Sequence, residues 1–161
     1  MRKLFRMFDR LQTVGAWTAS LLTLALTLLI LTEIVLRSFF DRSTMIADEY
    51  SGYLYLALIF FALGYTFREG GHIRIALLTS RLNAKSQRRI DIFAGLTLLG
   101  VLAFILYRSV RMVIDAYQFE MVSETVSETP IWLTQLSMPI GLSFFILTTA
   151  AFVYKKAFHD Q

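Results

Sequence analysis

The sequence predicts an all-α membrane protein: four transmembrane helices, both termini cytoplasmic (N-in/C-in), and a candidate short interfacial helix between helices 2 and 3. Three observations predict it. Only 17% of the 161 residues are charged, against about 25% in a typical soluble domain, and 56% are hydrophobic, with a mean hydropathy of +0.57. The charges leave four long gaps, 11–32, 50–67, 92–107 and 129–154, of 22, 18, 16 and 26 residues. A spanning helix needs roughly 17 to 25 mostly apolar residues; the third gap reaches that length if Arg108 and Arg111 snorkel outward at its end. The basic residues are also lopsided. Twelve of the 16 Lys and Arg fall in the N-terminal segment, the connection between the second and third spans, and the tail, which puts those parts on the cytoplasmic side. The spans are expected at about 11–38, 48–69, 90–114 and 130–155, in a single domain covering 1–161.

The opening "MRKLFRMFDR" precedes an apolar run too long for a signal-peptide core of about 7 to 15 residues, and no Ala-x-Ala-like site follows, so it reads as the start of the first span. Segment 11–36 alone makes about 39 Å of helix. That exceeds a hydrocarbon core of about 30 Å, so the helix tilts or protrudes. Glu33 and Arg37, four apart with the acid first, suit a same-face pair. The loop "DRSTMIADEY" is short, which makes the first two spans antiparallel neighbours. Asp48 and Glu49 then open the second helix, where carboxylates complement its positive end, and Tyr50, Tyr53 and Tyr55 suit an interfacial belt. Arg37 and Glu49 flank this loop and are expected to pair, with Glu33 competing for Arg37.

The second span ends in "FFALGYTFREGGHIRI". Gly70 and Gly71 suit the left-handed position that terminates a helix, and Arg68 complements its last turn. In "HIRIALLTSRL" apolar Ile73, Leu77 and Leu78 alternate with Arg74 and Arg81, a pattern for a helix lying in the inner interface. His72 cannot make a metal site alone, which takes three or four ligands, and the other histidine, His159, lies in the tail.

After "NAKSQRRID" the third helix runs past Tyr107, because Arg108, Arg111 and Asp115 recur on one face at spacings of three and four. An arginine deep in a bilayer costs at least about 2.5 kcal/mol. These residues are therefore expected at the outer interface, Asp115 partnering Arg111, with anion binding by the two arginines the alternative. The second outer loop repeats "VSET" at 122–125 and 126–129. If it is helical, Glu120, Glu124 and Glu128 form one acidic stripe. Thr129 and Pro130 read as N-cap and first residue of the last helix, Pro139 predicts a kink within it, and "YKKAFHDQ" is a basic anchor.

Catalysis has no candidates here. Cysteine is absent, as are a glycine-rich phosphate loop, a histidine within a span and a carboxylate cluster, so no enzyme, metal or other cofactor is expected. The basic residues flank spans and form no groove, which argues against nucleic acid. Without polar residues at mid-membrane depth a four-span chain is poorly equipped to move a polar solute alone. A scaffold or partner subunit follows.

Three stretches resemble the small integral membrane subunit of tripartite ATP-independent periplasmic (TRAP) transporters, the DctQ-type family. They are "EIVLRSFFDRSTMIADEYSGYL", with Arg37 and Glu49; "FFALGYTFREGGHIRI", with Arg68, Gly70, Gly71 and His72; and "PIWLTQLSMPIG", with Pro130, Trp132, Pro139 and Gly141. These ten residues are the candidate structural or interface positions. Many members carry an acidic residue where this chain has Ala76, so any role of that carboxylate is missing. The resemblance implies a bacterial inner-membrane subunit that braces a large, sodium-coupled membrane subunit and offers a docking surface to a periplasmic substrate-binding protein delivering an organic acid. Arg42, Arg108, Arg111, Glu120, Glu124 and Glu128 are the candidate docking residues. Sodium belongs to the large subunit in this reading. Two rivals stand beside it: the membrane anchor of another complex, and a small homodimeric exporter.

Overall fold

The computed structural model describes residues 2–68 and 83–158. Those residues form α1 (Arg2–Phe40), α2 (Ala47–Arg68), α3 (Ala84–Gln118), α4 (Ile131–Gln135) and α5 (Ser137–Phe158). Four segments among them are long and apolar enough to cross a membrane: Thr13–Phe40, Ala47–Phe67, Lys85–Gln118 and Ile131–Phe158. No strand occurs among the described residues, and one isolated backbone bridge joins Val122 to Pro130. The four-helix architecture expected from the charge gaps is the one observed. Helices α1 and α3 extend beyond the expected spans, since helical hydrogen bonding continues into the polar flanks. The proposed interfacial helix, with Gly70, Gly71, His72 and Ala76, lies outside the described residues, as does His159.

Helix α5 is the organising element. It packs on α2 and α3, more lightly on α1 and α4, while α1 pairs with α2 at one edge. The innermost cluster is Leu102 of α3 with Leu142 and Phe145 of α5, and Phe60, Leu63 and Phe67 of α2 close over it. Phe67 meets the rings of Phe145 and Phe152 edge-on, each at 5.5 Å.

Within a bilayer lipid is as apolar as leucine, so close backbone approach and packing, not water exclusion, hold helices together. Two glycines provide that approach. A Cβ on Gly141 of α5 would sit 2.5 Å from the Phe60 carbonyl oxygen, and one on Gly15 of α1 would sit 3.1 Å from that of Phe61. Both helices thus close on consecutive residues of α2. The hydroxyls of the spans bond within their own helix: Thr18, Ser20, Thr23, Thr27 and Thr32 each donate to the carbonyl four residues earlier, at 2.8–3.0 Å. These hydroxyls are satisfied in place, as a hydrocarbon medium requires.

The fourth span is two helices. Pro139 has no N–H to give the Gln135 carbonyl, and its ring crowds that carbonyl. α4 accordingly stops at Gln135 and α5 starts at Ser137. The expected kink is present as a break three residues before the proline. The start of this span differs from expectation: Pro130, not Thr129, occupies the N-cap position, with φ −61° and ψ 113° and no side-chain cap.

The opposite end is clamped by Arg88 of α3, which donates from Nε to the Lys156 carbonyl at 2.7 Å and from Nη2 to the Ala157 carbonyl at 2.5 Å. Lys156 Nζ stands 3.6 Å from Asp91 Oδ2. The last carbonyls of α5, which have no helical partner of their own, are thus satisfied by α3.

Candidate functional site: a polar lid over the helix ends

Side-chain chemistry concentrates where the α1–α2 and α3–α4 connections meet. Two carboxylates organise it. Glu33, in the last turns of α1, is only 6% exposed. Its Oε1 accepts from Arg37 Nε and Ser43 Oγ, both at 2.5 Å, and its Oε2 from the Thr44 N–H at 2.9 Å and Thr44 Oγ1 at 2.5 Å. Reaching back to it requires the chain to reverse at once. Asp41 and Met45 adopt left-handed φ values of 52° and 59°, and the Arg42 N–H closes on the Leu36 carbonyl at 3.2 Å.

The expected Arg37–Glu49 pair does not form. Arg37 bonds Glu33 and lies 3.6 Å from Asp48 Oδ2. The reason is local: Glu33 sits one helical turn from Arg37 on the same face, so their contact needs no loop closure, whereas Glu49 projects from α2 toward the other connection.

Glu49 is held by hydroxyls instead. Tyr53, one turn along α2, donates to Oε1 at 2.7 Å. Oε2 accepts from Ser127 Oγ at 2.5 Å and from Thr125 Oγ1. The tandem repeat explains how one loop supplies both. Ser123, Thr125, Ser127 and Thr129 alternate with Glu124, Val126 and Glu128, and the segment reverses on itself: the Ser123 N–H donates to the Thr129 carbonyl at 3.0 Å, the Ile131 N–H to that of Met121 at 3.0 Å, and the Glu128 N–H closes a turn on the Thr125 carbonyl at 3.1 Å. The reversal brings the Thr125 and Ser127 hydroxyls to Glu49, and Glu124 and Glu128 are exposed.

Each hydroxyl has one proton to donate, which orders the network. Ser127 and Thr125 give theirs to Glu49. Ser123 is then the donor in its 2.9 Å contact with Thr125, Thr129 in its 2.9 Å contact with Ser127, and Tyr50 in its 3.1 Å contact with Thr129. The acidic stripe expected of a helical loop is corrected by this geometry. Glu120, Glu124 and Glu128 belong to a reversing loop, with Glu120 and Glu128 at left-handed φ values of 48° and 44°. The signal in the sequence was the two-residue alternation of Ser and Thr, overshadowed by the four-residue spacing of glutamates.

The other candidate residues fall into place around the lid. Trp132 of α4 stacks edge-on against Tyr117 of α3, centroids 5.5 Å apart, and with Pro130 and Met121 borders a cleft of about 420 Å³. Gly141 and Pro139 serve packing inside the chain. Arg68 closes α2 at the other membrane face. Arg42 is exposed beside the lid. Arg108 and Arg111 do not join it: they lie ten and seven residues before the end of α3, about 15 and 10 Å down the helix. Among the described residues neither makes an ion pair, so the expected Arg111–Asp115 partnership is absent. Arg111 is exposed and Asp115 half-buried.

Comparison with known proteins fits this arrangement. Residues 26–159 match the family described as tripartite ATP-independent periplasmic transporters, DctQ component. A Haemophilus influenzae protein described as a TRAP transporter small permease is 21% identical over 123 residues, 76% of this chain and 74% of that protein. The ectoine TRAP transporter small permease protein TeaB of Halomonas elongata is 26% identical over 113 residues, 70% of this chain; the match spans 56% of TeaB.

Proposed function

This chain belongs to the DctQ component family of TRAP transporters, a multi-pass inner-membrane protein, and from that premise we propose that it is the bracing and docking subunit of a sodium-coupled carrier for an organic acid. The observation that supports this reading is the polar lid. The carboxylates of Glu33 and Glu49 are consumed by contacts within the chain, and the hydroxyls of the spans bond their own helices. A pathway for a polar solute needs ionisable or polar groups free at membrane depth, and the spans hold out few. In this reading a large membrane subunit carries substrate and sodium, and this chain carries neither a catalytic centre nor a cofactor.

The lid is the surface offered to a periplasmic substrate-binding protein. Exposed Arg42, Glu120, Glu124 and Glu128 present mixed charge there, which sets the rate of encounter more than final affinity. Weak, salt-sensitive docking suits a delivery protein that must leave after each cycle. In this reading both termini lie in the cytoplasm, following the basic residues.

The test is reconstitution. Proteoliposomes holding the large subunit, the binding protein and this chain take up labelled organic acid on a sodium gradient; omission of this chain abolishes uptake. Uptake by this chain alone would overturn the proposal in favour of a self-sufficient exporter-like carrier.

A further inference from the structure

Helix α3 carries a feature that the lid does not absorb. Its 35 residues make about 52 Å of helix, and one end is marked by the Arg88 and Asp91 contacts to the last turn of α5. Arg108 lies about 26 Å along the helix from Asp91, and Arg111 about 30 Å. That is the thickness of a bilayer's hydrocarbon core. The second arginine therefore stands at the far boundary of the hydrocarbon, with the first one turn inside it.

The two share a face, three residues apart. Both are exposed, and neither has a hydrogen bond or ion pair among the described residues. Their immediate neighbours along the helix are largely apolar. Phe104 (65% exposed) and Tyr107 (59%) precede them, and Met112 (40%) and Ile114 (42%) follow. On their own face Phe104 precedes them and Asp115 and Gln118 follow, so the two cations stand where an apolar face gives way to a polar one, at the edge where an uncompensated guanidinium becomes expensive. Long arginine side chains at this depth snorkel to the interface, which brings both guanidinium groups to the headgroup level. An anion must come to them, and at this depth every bilayer offers one: the phosphodiester at the head of a lipid.

We propose that Arg108 and Arg111 form a binding site for the headgroup phosphate of one anionic phospholipid. The two guanidinium groups approach the phosphate from successive turns, each able to give paired N–H donors to its oxygens. The acyl chains descend along Phe104 and Val101, both exposed on the lipid side. The site depends only on the chain spanning a bilayer and stands apart from any transported solute.

The test uses the full chain in nanodiscs containing a photoreactive phosphatidylglycerol in a phosphatidylcholine background, with crosslinks mapped by peptide mass spectrometry. The expected result is labelling within 101–114 that falls about tenfold in R108Q/R111Q. Labelling near Arg88 and Arg89 stays unchanged as the internal control. The R108K/R111K variant retains charge without the fork and keeps part of the labelling, which separates lost binding from lost folding. Equal labelling in R108Q/R111Q overturns the proposal. So does displacement of the lipid by millimolar inorganic phosphate, which assigns the site to the free ion. Loss of a co-expressed large subunit from the R108Q/R111Q protein, with labelling intact, also overturns it and assigns the arginines to a partner carboxylate.

Discussion

Ser127 donates a 2.5 Å hydrogen bond to Glu49 across 78 residues of sequence. That bond ties the loop before the last span to the first turn of the second. Tyr53 fixes the same carboxylate from within α2, so the loop docks on a preset acceptor. Glu49→Ala is expected to free the segment 119–130. Amide exchange there should rise at least tenfold while the helix interiors keep their protection, and the melting temperature should fall by about 5 °C. Unchanged exchange in the loop would show that backbone bonding alone holds it.

The partners of Arg37 can be separated by double-mutant cycles. Glu33 and Arg37 are in direct contact, so Glu33→Ala combined with Arg37→Ala should lower the melting temperature by clearly less than the sum of the single changes. Arg37→Ala combined with Glu49→Ala should be additive within about 1 °C, because the two sites share no contact. The reverse pattern would restore the pairing across the loop.

Gly141 is expected to tolerate no side chain. A Cβ would meet the Phe60 carbonyl oxygen at 2.5 Å, and backbone cannot rotate away as a flexible side chain can. Gly141→Val should cost about 1 to 3 kcal/mol through overpacking, read as a lower melting temperature in detergent. Gly100→Ala, with nothing within 4 Å of its new Cβ, is the control and should leave stability unchanged. Equal effects of the two would remove the close α2–α5 approach from the account.

Arg88→Gln should loosen the end of α5. Two terminal carbonyls lose a charged donor, a loss on the order of 1 to 3 kcal/mol. Limited proteolysis near Lys155 and Lys156 should accelerate before any change at the lid. Simultaneous loosening of both ends would show instead that the bundle unfolds as one unit.

Topology can be read with single cysteines, the native chain having none. Ser86 and Val126 are exposed, the latter by 78%. Ser86→Cys and Val126→Cys should react with a membrane-impermeant maleimide from opposite faces, Val126→Cys from the periplasm. Labelling of both from one face would refute the four-crossing arrangement.

The helices were legible because a bilayer makes a coarse demand. Long uncharged runs of about the right length must be helical, since lipid leaves no other way to satisfy the backbone: 11–32, 50–67 and 92–107 each became part of one helix, and 129–154 became the α4–α5 pair. Pro139 also announced its effect, because a missing N–H acts on its own helix wherever the chain folds. The family likeness reached the same residues through pattern.

The polar contacts were legible only where they were local. Glu33 and Arg37 could be paired from sequence, being one turn apart on a single helix. Which carboxylate wins Arg37, what Glu49 binds, and which way the VSET repeat faces depend on how two loops come together over the bundle. The repeat admits a period of four in its glutamates and a period of two in its hydroxyls, and both are consistent with the residues alone. Tertiary structure decided between them. Glu49, raised on the first turn of α2 beside the returning chain, accepts from Thr125 and Ser127, and the loop reverses on itself where a helix would have run on. Span number and span length follow from the medium, residue by residue. The lid follows from distances between residues 78 apart, and those distances exist only once α2, α3 and α5 have packed.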